Sequence, residues 1–264
     1  MFSYEINKFL KSKKSLAVFV ILMVLAVIAS VIAIICSNDM PDCDYHPAYV
    51  SLLSGGDGNV LSVLSIFTWS MPLFLIFGYC GKSISEKKNS TNNIYLTKAS
   101  RKEYFLSKTG VAFVTAVIYS FFPHIINLFI NIIFLHDGTF FCGMESFRPM
   151  IDTKNEYLLS CIGYPYSAYT LYLLSFLFVM GLLGIMCQSI CFIFKDNKWS
   201  YLSSITIWNL YFASGRTTVN GALQPFCSEY SVISGLRSIA IFIPSVLLCF
   251  IIAYVLMVVK KDEI

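Results

Sequence analysis

Charge is scarce in this sequence. Asp, Glu, Lys and Arg make up 13% of its 264 residues, against about 25% in an ordinary soluble domain. Hydrophobic residues reach 57%, with a mean hydropathy of +0.71, and gather in runs long enough to cross a bilayer, which excludes a conventional soluble fold. Zinc-type spacing is also missing, since none of the nine cysteines belongs to a C-x-x-C pair. Cys187 and Cys191 lie four apart inside an apolar run, where thiols act as small hydrophobes. The phosphate-binding pattern G-x-x-x-x-G-K-[ST] is absent: Gly81-Lys82-Ser83 supplies its ending, but Ile76 stands where the first glycine belongs. The chain is therefore not expected to hydrolyse ATP by itself, and no metal or cofactor is expected to bind it directly. A net charge of +4 is too small to indicate nucleic acid.

What is present is a succession of apolar runs. The expected fold is an all-α integral membrane protein, residues 1–264 forming one transmembrane domain. Six spans are predicted at about 15–36, 60–80, 109–135, 167–194, 199–213 and 238–259, most near the roughly 20 residues a helix needs to cross the hydrocarbon core. The first run is too long for a signal-peptide core and no small-x-small cleavage site follows it, so it is read as a permanent span. Residues 1–14 place Phe2, Ile6, Phe9 and Leu10 on one helical face beside Lys8, Lys11, Lys13 and Lys14, the pattern of a helix lying in the membrane interface. Residues 217–236 mix Pro225-Phe226 and Val232-Ile233 with polar residues, and are expected to dip back as a re-entrant outer hairpin before the last span.

Basic residues set the orientation. With both termini inside, Lys8, Lys11, Lys13, Lys14, Lys82, Lys87, Lys88, Lys98, Arg101, Lys102, Lys108, Lys195, Lys198, Lys260 and Lys261 are cytoplasmic. That is 15 of the 19 Lys and Arg, leaving Arg148, Lys154, Arg216 and Arg237 outside. The positive-inside rule then places both termini in the cytoplasm. Cys43, Cys142, Cys161 and Cys227 fall in outer segments, where disulfides are open to them but the pairing is not fixed by sequence. His46 and His136 also fall in outer loops and are expected to be solvated.

Two polar patterns interrupt the spans. Ser120, His124, Asn127 and Asn131 follow the spacing i, i+4, i+7, i+11 and share one face of the third span. Polar groups at membrane depth need partners, so this face is expected to meet protein or line a substrate path. Gly181, Gly184 and Gln188 share a face of the fourth span, where small residues allow close helix packing and an amide bonds across the contact. Otherwise the spans are expected to hold no firmly buried Asp, Glu, Lys or Arg.

The densest signal is the loop between the second and third spans. It holds Lys82, Lys87, Lys88, Lys98, Arg101, Lys102 and Lys108 around a short apolar piece, Ile94-Tyr95-Leu96. In order along it come Glu86, Ser90-Thr91, Leu96, Ser100-Arg101, Tyr104 and Lys108. This order resembles the first cytoplasmic loop of the permease subunits of type-2 ABC exporters, with Ala99 where that family often has proline. Phe194-Lys195-Asp196-Asn197 is a weaker match to the polar turn after the fourth span, and residues 136–165 form a longer outer segment than the family leads one to expect.

The resemblance implies six spans, an amphipathic N-terminal helix and a coupling helix in that loop, in the bacterial cytoplasmic membrane. The expected partners are a separate ABC ATPase subunit that binds ATP and magnesium, a second permease copy or sibling, and the bilayer. Glu86, Ser90, Thr91, Ile94, Tyr95, Leu96 and Arg101 would couple the ATPase to the spans. The substrate would be amphipathic (peptide, drug or lipid), as in bacterial antimicrobial-peptide export or immunity. Two other readings stand beside it, a non-transporting immunity or sensor protein and an intramembrane enzyme using His124. The topology has a direct test: a cysteine at Asn92 should resist a membrane-impermeant thiol reagent in intact cells, one at Gly56 should react, and labelling at Asn92 from outside would refute the arrangement.

Overall fold

The computed structural model describes residues 1–39, 44–89, 100–139, 141, 156–213, 223–226 and 232–259. Every regular element among them is helical: α1 (Phe2–Leu10), α2 (Lys13–Asp39), α3 (Gly58–Leu75), α4 (Lys82–Lys88), α5 (Arg101–Phe134), α6 (Glu156–Gly163), α7 (Pro165–Ile193), α8 (Asn197–Ala213) and α9 (Val232–Tyr254). Single π turns, Ile76–Cys80 and Val255–Val259, extend α3 and α9. Five helices are long and apolar enough to cross a membrane: α2, α3 with its π turn, α5, α7 and α9 with its π turn. The chain is thus an all-α multi-pass membrane protein. The predicted span at 199–213 is a helix, α8, but its 17 residues reach only roughly 26 Å at 1.5 Å each.

α5 and α7 pack along each other at the centre. Their approach depends on two glycines: a Cβ on Gly184 would lie 2.4 Å from the Ala112 carbonyl oxygen, and one on Gly181 would lie 2.3 Å from the Phe113 ring. α2 flanks α5, α3 flanks α2, α8 flanks α3, and α9 lies along α7. The long helices alternate in direction only when the shorter α8 is counted, so α7 and α9 both finish beside the start of α5. One end of the bundle, the basic end, carries α1, α4, the start of α5 and the finish of α7. The opposite end carries residues 44–57, the finish of α5 and the start of α7.

Several boundaries differ from the sequence expectation for local reasons. α5 begins at Arg101 rather than near residue 109, because Ser100 caps it. The Ser100 hydroxyl accepts from the Glu103 N–H at 3.2 Å, and the Glu103 carboxylate accepts from the Ser100 N–H at 3.1 Å, closing a capping box. Half of the predicted loop is therefore helix. At the other boundary of α3, Asp57 accepts from the Asn59 and Val60 N–H groups.

α1 does not simply lay its apolar face on the interface. Phe9 is buried between Tyr79 and Tyr119, with ring centroids 6.1 and 5.8 Å away. Glu5, on the same helical face, is buried as well, while Phe2 and Leu10 remain exposed.

The first outer segment is buried although Asp39, Asp42, Asp44 and Asp57 lie in or beside it: Tyr45, Ala48, Tyr49, Val50, Ser51, Leu52, Leu53 and Ser54 are all inside. The segment folds into the opposite end of the bundle as a plug. His46 is not solvated either: its ring stacks on Phe141 at 4.9 Å and meets Tyr166 at 5.1 Å. Burial holds its pKa below the ordinary value, and its Nδ1 accepts from the Ala48 N–H at 3.2 Å. His136 is exposed beside Asp137.

Of the predicted re-entrant hairpin, residues 223–226 and 232–236 are described, the latter as the first residues of α9. Leu223 and Phe226 are buried, and Phe226 takes a left-handed φ of 64° against Tyr49 and Phe141. Cys161 is buried, and Cys43, Cys142 and Cys227 lie outside the described residues. The plug also moves the outer labelling position. A Cβ on Gly56 would sit 2.5 Å from the Tyr49 carbonyl oxygen, whereas one on Gly58 meets nothing within 4 Å. Gly58→Cys is therefore the accessible partner for the Asn92 probe.

Candidate functional site

At the basic end a cluster of charge is sealed inside the protein, just outside the bounds predicted for the spans. Lys108, in α5, is 1% exposed; Glu5 of α1 is 0% and Glu86 of α4 is 7% exposed. The Lys108 ammonium lies 2.9 Å from Glu5 Oε2 and 3.0 Å from Glu86 Oε2, so one cation joins carboxylates from two helices. Lys8 of α1 closes the ring by pairing with Glu86. The Tyr79 hydroxyl donates to Glu5 at 3.2 Å and the Tyr104 hydroxyl to Glu86 at 2.9 Å, while Lys108 lies 5.7 and 5.6 Å from those two ring centroids. Two carboxylates and two ammonium groups balance, which is what makes their burial tolerable. Burial works to raise the Glu86 carboxyl, but Lys108 and Lys8 outweigh it and hold its pKa below the ordinary value.

Further contacts fix α4 to its neighbours. The Gln188 amide of α7 donates to Ser83 Oγ at 2.8 Å, Lys87 donates to the Phe192 carbonyl oxygen at 2.6 Å, and Lys88 pairs with Asp196 at 2.7 Å. Burial lowers the pKa of Lys87 to about 8, and that of Lys82 to about 8 with help from Lys8 and Lys108. Beneath this layer the Tyr119 hydroxyl donates to the Ser15 carbonyl oxygen at 3.1 Å and lies 2.8 Å from Ser15 Oγ, tying α5 to the start of α2. The basic end is thus one braced frame of α1, α4 and the adjoining ends of α2, α3, α5 and α7.

The coupling residues predicted from sequence divide at this frame. Glu86 turns inward, to Lys8 and Lys108. Arg101 opens α5, and its buried Nη1 has no hydrogen-bond partner among the described residues. Ser90, Thr91, Ile94, Tyr95 and Leu96 lie outside the described residues.

The polar stripe of α5 is wholly inside the bundle: Ser120, His124, Asn127 and Asn131 all have zero exposure. The Asn127 amide nitrogen donates to the Ala26 carbonyl oxygen at 3.1 Å and to Ser30 Oγ at 2.8 Å, while its oxygen accepts from the Leu52 N–H at 2.6 Å. Asn131 donates to the Val50 carbonyl oxygen at 3.4 Å. His124 lies between Phe67 and Phe176, and its Nδ1 is 2.7 Å from the Ser120 carbonyl oxygen. A carbonyl only accepts, so Nδ1 carries the proton there, and Nε2 has no partner among the described residues. No three His, Cys, Asp or Glu among the described residues are grouped to hold a metal ion.

The fold and these two networks define a multi-pass α-helical membrane protein that is polar inside at both ends. No protein-family model matches the chain, and no solved structure does. It is similar to a Bacillus subtilis (strain 168) protein, the uncharacterized protein YybM, at 25% identity over 251 residues, covering 95% of this chain and 96% of that one.

Sequence reasoning missed Glu5 and took Lys108 for a loop residue. The capping box at Ser100 and Glu103 was the readable signal, since it moves the start of α5 far enough to carry Lys108 into a helix. Removing the cation while leaving both carboxylates buried should be costly: Lys108→Met should destabilise the protein by about 3–5 kcal/mol. Adding Glu5→Gln and Glu86→Gln to that variant should recover much of the loss. Thermal unfolding of the detergent-solubilised chain measures both, and a wild-type midpoint for Lys108→Met would contradict the assignment.

Proposed function

We propose that this chain is the permease subunit of an ATP-driven ABC exporter, which moves an amphipathic substrate when a separate ATPase subunit binds and hydrolyses ATP with magnesium. The observation that carries the reading is the way the basic loop is anchored. Glu86 near its start and Lys108 at its finish bond to each other, and both bond to α1. A force applied to residues 89–100 therefore reaches α3 and α5 through a stiff frame rather than being lost in a slack linker. Arg101, the first residue of α5, adjoins that segment and suits an acidic partner. The exporter needs two arrangements of the spans whose balance nucleotide state biases, and the frame gives the ATPase a handle on that balance.

In this reading the basic end is cytoplasmic, as the distribution of Lys and Arg supports, and α8 is the fifth of six spans. A second permease copy or sibling, together with lipid, covers the exposed apolar faces of α2 and α9. Ile94, Tyr95 and Leu96 form the anchor that fills a groove on the ATPase. Buried anchors of this kind contribute about 2 kcal/mol or more each, so changing Tyr95 and Leu96 together to Ala should weaken ATPase docking roughly a thousandfold while membrane insertion stays intact. Co-purification of the ATPase with the tagged permease tests this. Full retention of the ATPase by the double variant, with substrate-coupled activity unchanged, would reduce the segment to a linker and remove the reading's main support.

A further inference from the structure

The plug at the opposite end has contacts of an unusual kind. Asn127 and Asn131 hold residues 50–52 through backbone atoms alone, the Leu52 N–H and the Val50 carbonyl oxygen. Asn127 is prepared for that task. Both contacts of its amide nitrogen run to α2, to Ala26 and Ser30, which leaves its oxygen aimed at the plug. Recognition through the backbone does not depend on which side chains the segment carries; it asks only that they suit an apolar setting, as Val50, Leu52 and Leu53 do.

The same helix face carries more hydrogen-bonding capacity than the plug uses. Asn131 Oδ1, His124 Nε2 and Ser120 Oγ have no partner among the described residues, and all three residues have zero exposure. They extend over roughly 17 Å of α5, at 1.5 Å per residue. Buried polar atoms are rarely left unpaired without a functional reason, and a file of them behind a backbone-reading pair points to a polar chain that lies along it.

The plug is also built as a unit. Ser51 and Ser54 hydroxyls donate to the Ala48 carbonyl oxygen at 2.9 and 2.6 Å, so its turn is held by its own bonds. It ends at Gly55, whose φ of +58° is a conformation open to glycine.

We propose that Asn127 and Asn131 form a binding site for a short apolar peptide segment, read through its backbone, and that residues 48–54 of this chain occupy it at rest. A peptide takes the same two hydrogen bonds when the plug withdraws, and its further polar groups meet Asn131 Oδ1, His124 and Ser120. That the peptide is cargo rests on the exporter reading; that the site binds peptide backbone does not.

The probe is a fluorescent heptapeptide, Ala-Tyr-Val-Ser-Leu-Leu-Ser, the sequence of residues 48–54, beside a copy N-methylated at the amide that matches Leu52. A tethered segment competes at an effective concentration on the order of millimolar, so the wild-type full chain in detergent should bind the probe weakly. A plug-loosened variant, His46→Ala with Ser54→Ala, alters neither asparagine and should bind it at least roughly tenfold more tightly. N-methylation should cost about tenfold or more, the consequence of leaving a buried acceptor unpaired, and so should Asn127→Leu in the loosened background. Equal binding of the two peptides, or no binding by the loosened variant, overturns the site.

If the variants are not monodisperse, hydrogen exchange on the wild-type chain decides. Excess parent peptide should speed exchange across residues 48–54 and the N-methylated peptide should not; unchanged exchange with the parent overturns the proposal. Neither assay contains an ATPase. Discriminating binding by a chain that captures no ATPase would sustain the site and sink the exporter reading, whereas coupled transport without discrimination between the peptides would do the reverse.

Discussion

One ammonium group holds the basic end together. Lys108 sits between Glu5 and Glu86, and each of the three is bearable inside the protein only because the others are present. Remove the lysine and Glu5 loses its ion pair while Glu86 is left to Lys8; remove either carboxylate and a helix loses its tie. Around this point the other contacts of the frame make sense. Tyr79 and Tyr104 donate to the two carboxylates and place their rings beside the cation. Phe9 enters between Tyr79 and Tyr119 because Glu5, one turn earlier, has fixed the face that α1 turns inward. The frame spans residues far apart in the chain, which is why a local push at the basic loop has long-range reach.

The opposite end obeys the same rule with neutral groups. Backbone that enters the apolar interior must be hydrogen-bonded there, and the plug satisfies the Leu52 N–H and the Val50 carbonyl through asparagines of α5. α5 therefore carries both devices, the lysine near one end and the amide pair near the other. It packs along α7 through Gly181 and Gly184, where any larger residue would collide. That tightly seated helix links the two networks, with Pro123 between them.

The parts of this arrangement that were legible in the sequence are those written in local pattern. α2 and α7 are long and apolar, and their length alone identifies them. The stripe from Ser120 to Asn131 is legible because a helical period is fixed at 3.6 residues, and the glycines of α7 because small residues at that spacing have few other uses. The charge cluster was not legible: Glu5 and Lys108 are distant in sequence, and each read singly is an ordinary surface charge. Nor was the plug, because Ala48 to Leu53 is too short an apolar run to announce a span and lies among aspartates that suggest a solvated loop. In both cases the missing information is tertiary, since it says which distant group completes a polar residue.

The central claim is that α1, α4 and the start of α5 form one rigid body through the buried ions. The distance between spin labels at Ser3 of α1 and Lys102 of α5, both exposed positions, tests it in lipid nanodiscs. The account predicts a single narrow distance distribution for the otherwise wild-type chain, broadened when Glu5→Gln removes the tie to Lys108. A broad distribution without the substitution, or an equally narrow one with it, would contradict the account.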